Sequence, residues 1–129
     1  MSVEIHPTAI VAKGAELADG VSIGPYSIVG DKAKIGPDTT LHSHVVIEGS
    51  TELGSRNQVY PFSMLGGPPQ HTAYRGEDTR LVIGDDNIIR EHATMNIGTV
   101  NGGGVTRVGS NGFFMIESHV GHDCVVGDN

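Results

Sequence analysis

The amino-acid sequence predicts an all-β fold, a parallel β-helix built from six-residue repeats, with two protruding loops. An aliphatic residue recurs at every sixth position, eleven times in succession without a slip, and an internal period of this kind marks a solenoid. Glycine commonly follows this aliphatic residue, and a small or β-branched residue commonly stands four positions after it. The unbroken series is Ile5, Val11, Leu17, Ile23, Val29, Ile35, Leu41, Ile47, Leu53, Val59 and Leu65.

The six-residue period has a direct structural meaning. Each repeat supplies a short strand and a turn, and three repeats make one coil of a triangular prism. Because side chains alternate along a strand, the aliphatic residue and the small residue two positions before it point inward, as for Val11 and Ala9. Eighteen such repeats predict six coils. An antiparallel sandwich is the alternative, but its hairpin loops would vary in length.

Two stretches break the period. The six-residue spacing of aliphatic residues resumes at Ile83. It resumes again at Val108, shifted by one residue from the earlier series. The glycine-rich and proline-rich segments before these two positions predict loops over about 66–82 and about 97–107. We interpret both as binding loops, since solenoids carry insertions on a binding face; tolerated decoration is the alternative. The glycine run at 102–104 lacks the Lys-Ser/Thr pair of a phosphate-binding loop.

Composition limits the function. The length of 129 residues fits one domain, residues 1–129. With 8 basic and 15 acidic residues the net charge is −7, so we expect no nucleic-acid partner. The chain has a single cysteine, no charged-then-apolar leader and no run of about 18 apolar residues. We therefore expect a cytoplasmic protein without an integral membrane segment.

Seven histidines raise the question of a metal site, and the densest group lies at 118–124. In that group His119 is predicted to point outward from its strand and His122 to lie near the next corner, so that the two side chains diverge. We therefore predict no metal and no cofactor. A zinc site shared between subunits, as in some hexapeptide-repeat carbonic anhydrases, is the alternative. Cys124 falls on a small inward position and is predicted to be a buried filler.

The neighbours His122 and Asp123 suit general-base chemistry. A sugar hydroxyl becomes an effective nucleophile when a base removes its proton during attack, and a neutral imidazole does this near pH 7. An adjacent carboxylate can fix the tautomer and the orientation of the ring. From the pattern alone, a solvated corner histidine beside an exposed aspartate is the favoured interpretation.

Seven segments in chain order carry a resemblance that covers essentially all of the sequence. They are 6–11, 23–26, 43–47, 76–80, 88–91, 102–106 and 118–124. In these segments the sequence resembles the UDP-N-acetylglucosamine O-acyltransferase family, with both loops in the expected places. Right-handed crossovers are the general rule, but the resemblance implies a left-handed β-helix. The predicted left-handedness rests on the resemblance alone.

The resemblance implies a homotrimer with active sites between neighbouring prisms. It implies transfer of an (R)-3-hydroxyacyl group from acyl carrier protein to the 3-hydroxyl of UDP-N-acetylglucosamine, the first step of lipid A biosynthesis, by direct attack on the thioester. His122 matches the general base of the family, and Asp123 stands beside it as the orienting carboxylate. His119 matches an active-site position expected to contact substrate. The other expected substrate-binding residues are Gln70, His71 and Asn96.

Some positions depart from the family pattern. His71 and Ala73 stand where the family often has an aspartate and a lysine. Asn96 and Ile97 stand where a histidine and an arginine are common. The chain ends within a repeat at 126–129, and we expect a truncated chain, with further coils and a C-terminal helical region that carry the acyl-chain ruler. The alternatives are the related N-acyltransferase of the same pathway, an acetyl-CoA-dependent hexapeptide acetyltransferase and a non-catalytic trimeric β-helix.

Overall fold

The computed structural model describes residues 2–129, and these residues form 18 short β-strands and no helix. Most strands have two residues, because each six-residue repeat also contains a turn. No part of this described chain forms a helix that is long and apolar enough to cross a membrane. The strands are β1 (Glu4–Ile5), β2 (Ile10–Val11), β3 (Glu16–Leu17), β4 (Ser22–Ile23), β5 (Ile28–Val29), β6 (Lys34–Ile35), β7 (Thr40–Leu41), β8 (Val46–Ile47), β9 (Ser50–Leu53), β10 (Gln58–Val59), β11 (Met64–Gly67), β12 (Arg80–Ile83), β13 (Ile88–Ile89), β14 (Thr94–Asn96), β15 (Val105–Val108), β16 (Phe113–Phe114), β17 (His119–Val120) and β18 (Val125–Val126).

Every third strand pairs in parallel, so the strands form three sheets of six. Sheet A has the order β1-β4-β7-β10-β13-β16, sheet B has the order β2-β5-β8-β11-β14-β17, and sheet C has the order β3-β6-β9-β12-β15-β18. Consecutive strands therefore lie on successive faces of a triangular prism with six coils. The repeat count and the all-β fold predicted from the six-residue period are confirmed.

The two inward positions of each repeat fill the interior of the prism. Val21 and Ile23 are 0% and 1% exposed, while Ser22 between them is partly exposed, which confirms the predicted alternation. Burial of one such aliphatic side chain contributes about 1.5–3 kcal/mol. The buried apolar residues are Val21, Ile23, Val29, Ala33, Ile35, Leu41, Val45, Ile47, Leu53, Val59, Leu65, Leu81, Ile83, Ile89, Ala93, Met95, Ile97, Val108 and Val120.

Two buried asparagines connect successive coils. Asn57 and Asn87 occupy inward positions and are almost fully buried. The Asn57 side chain donates to the Gly84 carbonyl oxygen and accepts from the Asn87 N–H, both at 2.9 Å. Asn87 makes the same two bonds with the Gly109 carbonyl oxygen and the Gly112 N–H. Because both amides are hydrogen-bonded, the interior avoids the penalty of about 1–3 kcal/mol for an unsatisfied buried polar group.

One corner of the prism, between sheets A and B, carries a column of stacked rings. The rings belong to Tyr26, His44, Phe62 and His92. All four residues have a positive φ, between 57° and 68°, and successive ring centroids lie 5.1–5.2 Å apart. A left-handed backbone costs a non-glycine residue about 1–2 kcal/mol. Ring stacking, at about 0.5–1.5 kcal/mol per aromatic pair, offsets part of that cost.

Both protruding loops are shorter than the sequence predicts. Strands β11, β12 and β15 extend two or three residues into the loops predicted over about 66–82 and about 97–107. Gly67 stays in the sheet because a bulge in β11 lets it pair with β14. The connecting segments are 68–79, called the first loop below, and 97–104, called the second loop.

Cys124 is exposed, so the prediction of a buried filler is wrong. Its neighbour Val125 pairs with Arg107, which puts Cys124 beside the buried Thr106 on an inward position of the sixth coil. No further strand of the described residues packs over it there. Ile5, at the opposite end of the prism, is 46% exposed for the same reason.

Candidate active site

A histidine–carboxylate pair lies at the turn between β17 and β18. His122 Nδ1 is 2.9 Å from Asp123 Oδ2, and the two side chains are 31% and 13% exposed. Since an ionised carboxylate only accepts hydrogen bonds, the proton on this bond belongs to Nδ1, and the Nε2 lone pair is left free. The pair therefore has the arrangement of a general base with its orienting carboxylate.

The second loop holds the Asp123 carboxylate. Thr99 donates its backbone N–H to Oδ1 at 2.8 Å and its hydroxyl to Oδ2. The Asp123 N–H in turn donates to the Thr106 hydroxyl at 2.8 Å. Burial raises the pKa of Asp123, but the hydrogen bonds from Thr99 and His122 outweigh it, so that the pKa lies below its ordinary value. The carboxylate is therefore ionised at neutral pH.

The first loop brings a second histidine to the pair. The His71 and His122 rings meet edge to face, with centroids 5.3 Å apart and an angle of 83° between their planes. His71 Nδ1 accepts a hydrogen bond from the Ala73 N–H at 3.0 Å, which leaves Nε2 as the nitrogen that carries the ring proton. The site thus combines a hydrogen-bond donor on His71 with a free acceptor on the neighbouring ring of His122.

Gln70 and Asn96 line a groove of about 370 Å³ between the first loop and β14. Asn96 is 7% exposed, and its Oδ1 has no hydrogen-bond partner among the described residues. Buried polar atoms normally have a partner, so an unsatisfied amide beside a groove fits a binding position. Thr94 also lines this groove, and its hydroxyl oxygen lies 2.7 Å from His119 Nδ1.

The six predicted site residues therefore fall into two groups. His71, His122 and Asp123 form the first group through the ring contact and the hydrogen bond between His122 Nδ1 and the Asp123 carboxylate. The second group consists of Gln70, Asn96 and His119, which border the groove directly or through Thr94. The groups adjoin because Gln70 and His71 are neighbours in the first loop. Their contact with a substrate stays a prediction.

Sequence reasoning missed Thr99 in the second loop and Thr106 in β15, which both form hydrogen bonds with Asp123. The available signal was the glycine pattern of this loop. As a phosphate-binding motif the pattern is incomplete, but the structure gives it another explanation. A Cβ atom on Gly102 would overlap the Asp123 carboxylate, so glycine at this position makes room for the hydrogen bonds from Thr99.

In the part of the chain that the structure describes, no three His, Cys, Asp or Glu side chains form a group that could hold a metal ion. His122 uses Nδ1 for Asp123, and His119 Nδ1 lies within hydrogen-bond distance of Thr94. The expectation that the protein works without a metal stays a prediction.

Acid is expected to weaken the hydrogen bonds from the second loop to the Asp123 carboxylate. The Asp123 pKa is lowered in the fold from the ordinary 3.8. Its ionised form therefore stabilises the fold at a pH above the ordinary value, and this contribution is lost as the pH falls through the folded-state pKa. The variant Asp123→Asn removes the titration. The gap between the urea midpoints of wild type and variant should shrink between about pH 6 and about pH 2.5; a constant gap would contradict this account.

Known proteins resemble this chain in sequence and in structure, although no protein-family model matches it. It is 54% identical over 126 residues to the acyl-[acyl-carrier-protein]–UDP-N-acetylglucosamine O-acyltransferase of Syntrophobacter fumaroxidans, a match of 98% of this chain and 49% of the relative. It is 58% identical over 124 residues to the protein of that name from Azorhizobium caulinodans, covering 96% of this chain and 46% of the relative. It superposes on LpxA from Acinetobacter baumannii with a TM-score of 0.95 and 45% identity, covering 96% and 48% of the two chains. The chain thus spans about half the length of the curated relatives it matches.

The six-residue period and the three-sheet prism define a hexapeptide-repeat β-helix protein. The structural match supplies the hand, and the fold is a left-handed parallel β-helix, as predicted. The chain is a homologue of the UDP-N-acetylglucosamine O-acyltransferases. The resemblance found in the sequence is therefore confirmed.

Proposed function

We propose that the protein transfers an (R)-3-hydroxyacyl group from acyl carrier protein to the 3-hydroxyl of UDP-N-acetylglucosamine, the first step of lipid A biosynthesis. The observation that carries the proposal is the His122–Asp123 pair with its free Nε2. It lies in a chain that is 54% and 58% identical to proteins named for acyl carrier protein and UDP-N-acetylglucosamine. The proposal includes no metal or cofactor, because the acyl group arrives already activated as a thioester.

The proposed reaction is a single acyl transfer with His122 as general base. His122 Nε2 takes the proton of the sugar 3-hydroxyl while that oxygen attacks the thioester carbonyl carbon. The tetrahedral intermediate then collapses, the C–S bond breaks, and the imidazolium returns its proton to the departing carrier thiolate. Asp123 stabilises the imidazolium and keeps the ring in the required tautomer. The products are the 3-O-acyl sugar nucleotide and the free carrier thiol, with no acyl-enzyme.

The remaining site residues are proposed to bind the sugar nucleotide. The Nε2–H of His71 can donate a hydrogen bond to a hydroxyl or carbonyl oxygen of the sugar nucleotide. The amides of Gln70 and Asn96 border the groove, and each amide offers both a donor and an acceptor. His119 is proposed to contact substrate at the same groove, next to Thr94.

A homotrimer is part of the proposal, and the outer face of sheet B supports it. Ile10 and Ile28 are 65% and 44% exposed on this face, and Val46 continues the apolar column towards the groove. Packing this face against a neighbouring copy would remove the apolar surface from water. Light scattering should give a mass three times that of one chain, reduced by Ile28→Glu but not by Lys34→Glu on sheet C. A monomeric wild-type protein would contradict the trimer.

The domain organisation and location are proposed in the same way. We propose that residues 1–129 act as one β-helix domain. We also propose a cytoplasmic location, because the free thiol of Cys124 fits a reducing compartment.

The proposal is tested by mass spectrometry of reaction products. The protein is incubated with UDP-N-acetylglucosamine and with (R)-3-hydroxyacyl carrier proteins of several chain lengths. The expected product is the sugar nucleotide with one 3-hydroxyacyl group in an ester that mild alkali cleaves. Acetyl transfer from acetyl-CoA without transfer from the carrier protein would replace the proposal by a hexapeptide acetyltransferase. A trimer that binds no UDP-sugar would indicate a non-catalytic scaffold.

A further inference from the structure

We propose that Thr99 is a positioning residue, which holds Asp123 in the orientation that keeps the His122 ring ready to accept a proton. The inference rests on the proposed function, because it assigns a supporting residue to the same general base. Thr99 lies in the second loop, 24 positions before the carboxylate that it contacts, and is only partly buried.

Thr99 makes contact with both oxygens of the carboxylate. Its backbone N–H donates to Asp123 Oδ1 at 2.8 Å, and its hydroxyl donates to Oδ2. Oδ2 is also the atom that accepts from His122 Nδ1. Within residues 2–129, Thr99 and His122 supply all the hydrogen bonds to these two oxygens. Without the Thr99 hydroxyl, rotation of the carboxyl group is opposed by one bond on each oxygen.

The direction of the Thr99 hydroxyl is fixed by its other partner. The Gly102 N–H donates to the Thr99 hydroxyl oxygen at 3.1 Å, so the hydroxyl hydrogen is left to point at the carboxylate. The Gly104 N–H donates to the Thr99 carbonyl oxygen at 2.7 Å, which fixes the backbone of the same residue. The second loop is therefore a closed turn built around Thr99.

The loop is also tied to the start of β12 and to the residue before it, through the backbone of Gly98. The Gly98 N–H donates to the Arg80 carbonyl oxygen at 3.1 Å, and the Gly98 carbonyl oxygen accepts from the buried Thr79 hydroxyl. A Cβ atom on Gly98 would approach Asp123 Oδ1 to 2.8 Å. The position of the carboxylate thus depends on Gly98 and Gly102, which leave room for it, and on the Thr99 hydroxyl, which donates to it.

The test compares Thr99→Val, which removes the hydroxyl but keeps the shape, with Thr99→Ser, which keeps the hydroxyl. Thr40→Val is the matched control, since Thr40 lies on the outer side of β7, away from both loops. Nitrogen-15 NMR of the His122 ring reports the tautomer without any substrate. Steady-state acyl transfer reports kcat and KM separately, and circular dichroism shows that each variant is folded.

Thr99→Val is expected to convert the His122 ring from the Nδ1–H form to a mixture of both tautomers. It should lower kcat roughly 10- to 100-fold with KM within about twofold, as for a misplaced catalytic group. Thr99→Ser and Thr40→Val should match the wild type in both measurements. A folded Thr99→Val protein with the wild-type tautomer and kcat would overturn the role of Thr99. A wild-type protein without transferase activity would instead contradict the proposed function, and the NMR comparison alone would then decide the role of Thr99.

Discussion

Replacement of His122 by alanine is expected to lower kcat by roughly 10²–10⁴-fold, the usual contribution of a positioned general base. In the structure the His122 ring has one nitrogen bonded to Asp123 and the other free. Alanine removes this acceptor and leaves the sugar hydroxyl protonated during attack. Because the ring is assigned to proton transfer and not to binding, KM should change little. The measurement is the initial rate of acyl transfer, followed by mass spectrometry of the sugar nucleotide.

His6→Ala is the control for this experiment. His6 is exposed at the opposite end of the prism, where its ring contacts Thr8. This variant should keep the wild-type rate, because it removes a histidine that is more exposed than His122 and does not touch the site. If His122→Ala retained more than about a tenth of the wild-type kcat, the general-base assignment would be wrong, and another group would have to take the proton.

Gly66→Ala is expected to destabilise the fold by about 2–5 kcal/mol. Gly66 is buried and has a φ of +93°, and a Cβ atom there would lie inside van der Waals distance of the Glu48 carbonyl oxygen and the Thr51 hydroxyl. The left-handed backbone accounts for about 1–2 kcal/mol. The overlap in a closely packed interior accounts for about 1–3 kcal/mol more. Urea denaturation followed by circular dichroism measures the change.

Gly76→Ala separates the two contributions. Gly76 has a similar φ of +85°, but a Cβ atom there would meet nothing within 4 Å. This variant should therefore lose only the backbone contribution of about 1–2 kcal/mol. Equal losses in the two variants would mean that the β11 bulge relaxes around the new methyl group, and the packing argument at Gly66 would fail.

The strands and the interior were predictable because the prism imposes one rule on every repeat. A coil can stack on its neighbours only if the same two positions face inward, and the sequence shows this at Val21 and Ile23 as clearly as at Val45 and Ile47. The exposure of Cys124 follows a different rule. An inward position is buried only when another coil packs over it, and the period alone carries no information about that.

The candidate site was predictable only in part. His122 and Asp123 are neighbours in sequence, so their pairing requires only a turn. The contacts of His71 with His122, and of Thr99 with Asp123, depend on the irregular paths of the two loops. A loop has no period from which its path can be derived, and its hydrogen bonds are formed with its own backbone and with distant turns. The roles of these residues toward substrate stay predictions.

The pairing of strands across the first loop has a consequence for the evolution of the site. Val11 pairs with Val29, 18 positions away, whereas Val59 pairs with Ile89, 30 positions away, because the first loop intervenes. The entropy of closing a chain grows with the logarithm of its length, so the longer closure adds only about 0.5 kcal/mol. A prism of this kind can exchange one loop for another with little loss of stability. Loop positions such as His71 can therefore change in sequence while the repeats that support them stay unchanged.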